Sequence, residues 1–230
     1  MWYQSPTQSG HVTDMLAELQ RQLSDIYQVG RAYDVRDYVI TDPMLAKLLG
    51  KGAMLTNTDE TLLVSQDDEG LALSLFLDAD MLDRLESSNP LGRLRAELLD
   101  DFWKVLEGIS HFNCVVWKAS QDRSVSLLEL ELQGEIDKFV STMLLALGQA
   151  DTDLLNSMHG WLFNNVRFHE ELDDEQLSRY RSANDYAARF CHRLRQKLIG
   201  DARHAMTELR QFYRLQLPEK ISHIHAQTWA

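Results

Sequence analysis

Residues 91–148 decide the fold and have the sequence LGRLRAELLDDFWKVLEGISHFNCVVWKASQDRSVSLLELELQGEIDKFVSTMLLALG. Apolar side chains recur at steps of three and four residues in both halves, which places them on one face of a helix. Asn89-Pro90, just before the stretch, is a typical helix start, because a proline at the first helical position loses no hydrogen bond. We therefore predict two long helices, over residues 91–119 and 127–147, folded back on each other across the polar turn at 120–123.

The second of these helices has a start signal of its own. Ser126 and Glu129 have the spacing of a capping box, in which each side chain accepts a hydrogen bond from the backbone of the other. Glu129 would otherwise be unusual, since its helical angle falls inside the apolar face. A competing interpretation is a β-hairpin over residues 111–132, because residues 128–132 alternate between Leu and Glu. The capping box and the long apolar face after it favour helices.

The remaining segments predict more helices and one β-hairpin. Residues 61–66 and 71–77 are typical of antiparallel strands, and an isolated hairpin is marginal in water, so it needs a third strand or a covering helix. Residues 52–56 and the two central helices are the candidates, and residues 33–41 predict a short strand. Further helices are predicted at 12–29, 44–49, 78–85, 151–163, 173–198 and 201–213. The predicted fold class is mainly α (α+β): a multi-helix domain built on an antiparallel helical hairpin, with a small antiparallel β-hairpin layer.

Length and composition place bounds on organisation and location. The 230 residues suit a single domain over 1–230, with a possible N-terminal α/β-hairpin lobe at 11–88 and a helical lobe at 89–225. The longest uncharged apolar run, at 139–150, is too short to cross a bilayer, and residues 1–10 lack the pattern of a secretory signal. We therefore expect a soluble cytoplasmic protein without membrane partners.

Two cysteines and the charge distribution add further expectations. Cys114 and Cys191 lie far apart inside apolar helical patterns and are expected to be buried free thiols. The net charge of −12 makes nucleic acid an unlikely partner of the whole molecule. Residues 176–220, however, hold ten Lys or Arg and four acids, a balance of +6 that leaves −18 for the rest of the chain.

A basic cluster lies within that C-terminal segment. It is a candidate partner-binding site made of Arg189, His192, Arg193, Arg195 and Lys197. Charge matching within the molecule or across a homodimer is the leading interpretation, an acidic protein partner the second, and nucleic acid the third.

The common sequence motifs of phosphate, dinucleotide, zinc and hydrolase sites are absent. One constellation of metal-ligating types remains: Glu107, His111, Glu131 and Glu135, two pairs that are each four residues apart and so share a helical face. In an antiparallel pair of helices His111 lies level with Gln133, between the two later glutamates. Facing helices of bundle proteins hold metal ions with such residues, although the typical Glu-x-x-His spacing is missing here. Salt bridges or a solvated rim are the competing structural explanation.

The sequence therefore predicts a non-enzymatic interaction or regulatory protein that self-associates, with a protein partner or a second copy of itself and no cofactor. The alternative is a metal-binding helical protein or metalloenzyme, with a divalent transition metal held by the four residues of the constellation. The sequence assigns no reaction.

Overall fold

The computed structural model describes residues 10–50, 58–67, 70–166 and 171–226. Helices dominate and a small sheet lies beside them, which confirms the predicted mainly α (α+β) class. The helices are α1 (Gly10–Tyr27), α2 (Pro43–Leu49), α3 (Ala79–Ser87), α4 (Leu99–Ser120), α5 (Leu127–Gly148), α6 (Thr152–Asn164), α7 (Asp174–Gly200), α8 (Ala202–Arg214) and α9 (Leu217–Ala226).

The sheet has three strands, β1 (Val39–Ile40), β2 (Glu60–Asp67) and β3 (Gly70–Leu77), in the order β1-β3-β2. Strands β2 and β3 pair antiparallel, with Glu60 opposite Leu77. The short β1 pairs parallel with β3. The sequence therefore located the two hairpin strands, while the third strand comes from the end of the segment predicted at 33–41.

One local expectation around the sheet differs from the structure, and another falls outside the described residues. Residues 35–38 of the predicted first strand form a 3₁₀ helix (Val35–Tyr38), because the Asp34 side chain accepts a hydrogen bond from Arg36 N and tightens the turn. Residues 52–56, the other candidate for a third strand, lie outside the described residues.

Helices α4 and α5 contact each other in reverse order along the chain. Near the start of α4, Trp103 Nε1 donates to Thr142 Oγ1 over 3.0 Å, and near its end Lys118 Nζ lies 2.7 Å from Glu129 Oε1. Residues 111–120 and 127–132 are helical. The competing β-hairpin over 111–132 is therefore wrong.

The predicted start of the first central helix at residue 91 is also wrong, because α4 begins at Leu99 after a 3₁₀ turn (Ala96–Leu98). The oxygen of Asn89 instead closes a turn with the backbone N–H groups of Gly92 and Arg93. The Gln149 side chain then accepts from Leu94 N and donates to the backbone oxygens of residues 90 and 91. This tertiary contact outweighs the local helix signal.

Buried side chains of one hydrophobic cluster come from α1, β3 and every helix from α3 to α9. Phe102, Phe112 and Phe139 of the central helices are fully buried in it. Both cysteines are buried and free, as predicted. None of the described helices is long and apolar enough to span a bilayer. The single domain and its two lobes stay a prediction.

Candidate metal centre

Two of the predicted metal ligands lie one turn apart on α4 and meet a third residue from the sheet. Glu107 and His111 share a face of α4, and Glu60 is the first residue of β2. One ligand atom from each of these three residues lies within 4.8 Å of the others. We call these three residues the ligand triad.

Two glycines inside the central helices allow this close approach. A Cβ atom at Gly108 would lie 2.8 Å from Leu75 Cδ1 and 3.0 Å from Glu60 Oε1, so a side chain there would push the hairpin away from α4. A Cβ atom at Gly134 would lie 3.2 Å from His111 Nε2. Glycine weakens a helix interior by up to about 1 kcal/mol relative to alanine, so its presence here has a packing reason.

The other two predicted ligands, Glu131 and Glu135, lie on the facing side of α5. The nearest oxygen of Glu131 is 3.9 Å from His111 Nε2, too far for a hydrogen bond. Glu135 Oε1 is 2.7 Å from Lys138 Nζ, which also lies 2.9 Å from Glu107 Oε2. Arg179 of α7 approaches Glu131 with Nε at 4.0 Å. The structure therefore brings the four predicted residues together and adds Glu60, Lys138 and Arg179.

Three ligand atoms in this group are buried and have no hydrogen-bond partner: Glu60 Oε1, His111 Nε2 and Glu135 Oε2. His111 is only 8% exposed. The backbone of Leu130 favours the charged form of the His111 ring, but burial outweighs this effect. Each buried polar atom without a partner calls for a physical explanation, and three ligand-type atoms of this kind lie in one cluster.

Burial and mutual repulsion keep protons on several of these glutamates. Burial, and then the charges of Glu107 and Glu131, raises the pKa of Glu60 well above its usual value. The same two causes, burial first and Glu107 second, raise the pKa of Glu131 to about 8. Burial also raises the pKa of Glu135, against the opposing effect of Lys138. The cluster therefore has more carboxylates than its cations can balance.

The pKa shifts of Glu107 and Lys138 favour their charged forms, and that of His111 favours its neutral form. Burial alone would raise the pKa of Glu107, but the neighbouring charges of Lys138 and His111 hold it below its usual value. Burial opposes the charged form of Lys138, and Glu107 and Glu135 outweigh it and raise the lysine pKa. Burial lowers the pKa of His111, which favours the neutral ring that binds cations.

Sequence reasoning missed Glu60, Lys138 and Arg179. Glu60 begins a strand and Arg179 lies on α7, and no local pattern relates either residue to α4 or α5. Lys138 could have been found, because it follows Glu135 by three residues and so lies on the same helical face. The two helix-interior glycines, Gly108 and Gly134, were a second signal.

A second buried polar network lies nearer the turn between α4 and α5. Glu129 Oε1 lies 2.7 Å from Lys118 Nζ and 3.1 Å from Lys220 Nζ, and all three residues are at most 2% exposed. Ser126 does cap α5 by accepting from Glu129 N. The Glu129 carboxylate, however, binds two lysines, so the capping box does not account for its position in the apolar face.

This second network continues to Asp137. Ser110 Oγ donates to Asp137 Oδ2 over 2.5 Å, and Tyr27 OH and Gln133 Nε2 donate to Oδ1. Lys220 Nζ lies 3.4 Å from Gln133 Oε1 and closes the network. With two lysines and two carboxylates the network is balanced in charge, which is typical of a structural element.

The residues of the predicted basic cluster on α7 contact different parts of the structure. Arg195 donates to Leu155 O and Asn156 Oδ1 on α6, and Lys197 pairs with Glu208 on α8. Arg193 is half-buried, whereas Arg189 and His192 are exposed. Two of the five residues thus have intramolecular partners, and the role of the cluster in binding stays a prediction.

The chain was compared with models of protein families, with curated proteins and with solved structures. None of them matches it.

Proposed function

We propose that this protein binds one divalent transition metal ion through the ligand triad, Glu60, Glu107 and His111. The observation that supports it is the convergence of two carboxylates and a histidine within 4.8 Å, with His111 Nε2 buried and lacking a hydrogen-bond partner. The proposed ligands differ from the sequence-based constellation in one respect. Glu60 is a ligand, and Glu131 and Glu135 lie beside the site.

The donor set favours particular ions. Imidazole and carboxylate together suit manganese, iron, cobalt and zinc, while calcium and magnesium prefer oxygen donors alone. Four glutamates with Lys138 and Arg179 carry a formal charge of −2 when all are ionised, which one divalent ion neutralises. Burial, and then the charge of Glu107, raises the pKa of Glu131 to about 8.

The test is metal analysis of protein purified without added metal and then loaded with Mn²⁺, Fe²⁺, Co²⁺ or Zn²⁺ and desalted. We expect one ion per chain in the wild type and loss of the ion in His111→Ala and Glu107→Gln. The matched controls are His204→Ala and Glu97→Gln, two exposed positions outside the cluster. Wild type without stoichiometric metal, or equal loss in the controls, would refute the proposal.

A second candidate function is self-association through an exposed apolar surface. Met44 and Leu48 of α2 are each 75% exposed, and Leu49 and Val64 are about half exposed. A groove of about 380 Å³ lies between the end of α2 and the β2–β3 hairpin. Contiguous apolar surface of this kind is typical of interaction sites. We name this face, over α2 and the outer side of the hairpin, the α2 surface.

Sedimentation at several protein concentrations tests the second candidate. We expect the wild type to dimerise and Met44→Glu and Leu48→Glu to be monomeric, since a charge on this surface would be desolvated at the contact. Ile199→Glu on α7, at another exposed apolar position, is the control and is expected to dimerise normally. A wild type that stays monomeric at the highest concentration contradicts self-association.

A further inference from the structure

We infer that the ammonium group of Lys138 fills the second of two cation positions in the glutamate cluster, so that the site takes a single metal ion. This inference rests on the proposed function, because it concerns how many ions the same cluster holds. Lys138 is then a positioning residue, and its fixed positive charge takes the place of a second metal ion.

The contacts of Lys138 resemble those of a bridging cation. Its Nζ lies 2.9 Å from Glu107 Oε2 and 2.7 Å from Glu135 Oε1, so it joins the carboxylates of two facing helices. The lysine side chain is 9% exposed. In sites with two ions, carboxylates from facing helices make the same connection between the helices.

Glu107 is shared between the two positions. It contributes a ligand atom to the triad with Glu60 and His111, and it also binds Lys138. Paired metal ions in proteins lie about 3.5–4 Å apart and are commonly joined by shared ligands. The carboxylate of Glu107 is therefore in the place of a bridging ligand, with an ammonium group on one side of it.

Charge explains why a single ion is sufficient. The four glutamates of the cluster contribute −4, and Lys138 and Arg179 contribute +2. One divalent ion brings the sum to zero, whereas a second would leave an excess of +2 in an enclosed site, which is unfavourable. Without the lysine charge two divalent ions leave an excess of +1 instead of +2, and the space beside Glu135, whose Oε2 has no hydrogen-bond partner, becomes available to the second ion.

The alternative is that Lys138 is only a salt-bridge partner. A lysine that served stability alone would need only the two carboxylates that it contacts. Here Glu60 and Glu131 are additional acids in the same cluster, and Glu60 Oε1 and Glu135 Oε2 are buried without a hydrogen-bond partner. Such an excess of acid suits a site that binds a cation from solution.

Metal stoichiometry separates these possibilities. Wild type, Lys138→Ala and Lys138→Gln are titrated with Co²⁺ by calorimetry and visible absorption, and with Mn²⁺ by electron paramagnetic resonance, which detects coupling between neighbouring ions. We expect one ion in the wild type and two in both variants, with coupled Mn²⁺ spectra only in the variants. Two substitutions are used so that a folding defect in one leaves the other informative, with circular dichroism as the check.

Lys104→Met is the matched control. Lys104 lies on α4 and also pairs with two carboxylates, Asp59 at 2.7 Å and Asp100 at 2.6 Å. Neither carboxylate belongs to the cluster. This variant is expected to bind one ion. No ion in the wild type refutes the proposed function itself. One ion in the wild type and in both Lys138 variants, or two in the wild type, overturns this inference alone.

Discussion

Gly134 shows how a single missing methyl group makes room for the ring of His111. The position faces His111 Nε2 and the Cγ atom of Glu107, at 3.2 and 3.5 Å from where a Cβ atom would stand. A larger residue would have to displace the ring from its place beside Glu60 and Glu107. The glycine is thus required by the position of the His111 ring rather than by the helix.

Gly134→Ala is expected to weaken metal binding at least tenfold while the helix content is unchanged, because the added Cβ shifts Nε2 away from the triad. Gly148→Ala is the control, since nothing lies within 4 Å of a Cβ there. The alanine at 148 should leave metal affinity intact. Calorimetric titration of both variants with Co²⁺ provides the comparison, and equal affinities would contradict this role of Gly134.

Asp137 predicts a pH dependence of stability. Burial raises its pKa to about 6 in the folded protein, against an ordinary value of 3.8, while Ser110, Tyr27 and Gln133 oppose the shift and Lys220 is the nearby cation. The folded state therefore binds the proton more tightly than the unfolded state. Its contribution is fully present below pH 4 and is lost as the pH rises through about 6.

Asp137→Asn removes this contribution, and the amide can still accept from Tyr27 and contact Ser110. Relative to the variant, the wild type should lose up to about 3 kcal/mol of unfolding free energy between pH 4 and pH 6.5. Urea unfolding of both proteins across this range measures the difference. A difference that is constant with pH, or that grows in the opposite direction, contradicts the assignment.

At the scale of elements, the C-terminal helix α9 is attached to the central helices by a buried charge. Lys220 is fully buried and reaches Glu129 on α5, which also binds Lys118 on α4. Lys220→Met leaves one lysine for one glutamate, whereas Glu129→Gln leaves two buried lysines without that carboxylate. The second change should therefore be the more damaging.

We expect Glu129→Gln to cost about 3–5 kcal/mol of unfolding free energy and Lys220→Met clearly less. Lys197→Met is the control, because its pair with Glu208 is more than a third exposed on the lysine side and such pairs contribute about 0–1 kcal/mol. Urea unfolding gives the three values. The reverse order for Glu129 and Lys220 would mean that the network is not organised around the carboxylate.

The sequence predicted elements wherever local chemistry controls them. Helices α2, α3, α6 and α7 begin within one residue of their predicted starts, because the side chains of Asp42, Asp78, Asp151 and Asp173 accept from the first backbone N–H groups. The sequence-based prediction failed where residues distant in the chain determine the local structure. Gln149 holds the backbone before α4 out of the helix, and pairing with β3 defines the short β1.

The candidate site was likewise predictable only where helical spacing relates its residues. Glu107, His111, Glu131 and Glu135 followed from helical spacing, since each pair lies on one face. Glu60 did not, because only the packing of the hairpin on α4 relates it to Glu107. The pairing of Lys138 with Glu107 likewise depends on how α4 and α5 are aligned, which spacing along one helix does not give.

At the scale of the whole molecule, both thiols lie in the interior. Burial raises the pKa of Cys114 to about 12 and that of Cys191 well above its usual value. Native protein at pH 8 should therefore react with a thiol reagent only as fast as it unfolds, and denatured protein should react at both positions. Labelling with Ellman's reagent measures these rates, and the Cys191→Ser variant shows which thiol reacts at which rate. Rapid labelling of the native protein would contradict it.

The ligand triad combines residues from two separate elements, which affects the order of events in folding. Two of its members come from one turn of α4, but Glu60 is delivered by the β2–β3 hairpin, which must dock on that helix first. Contacts between segments so distant in the chain form late in folding. On the proposed function, metal uptake would then mark the last stage of assembly, and a nascent chain whose hairpin is still undocked would hold the ion only weakly.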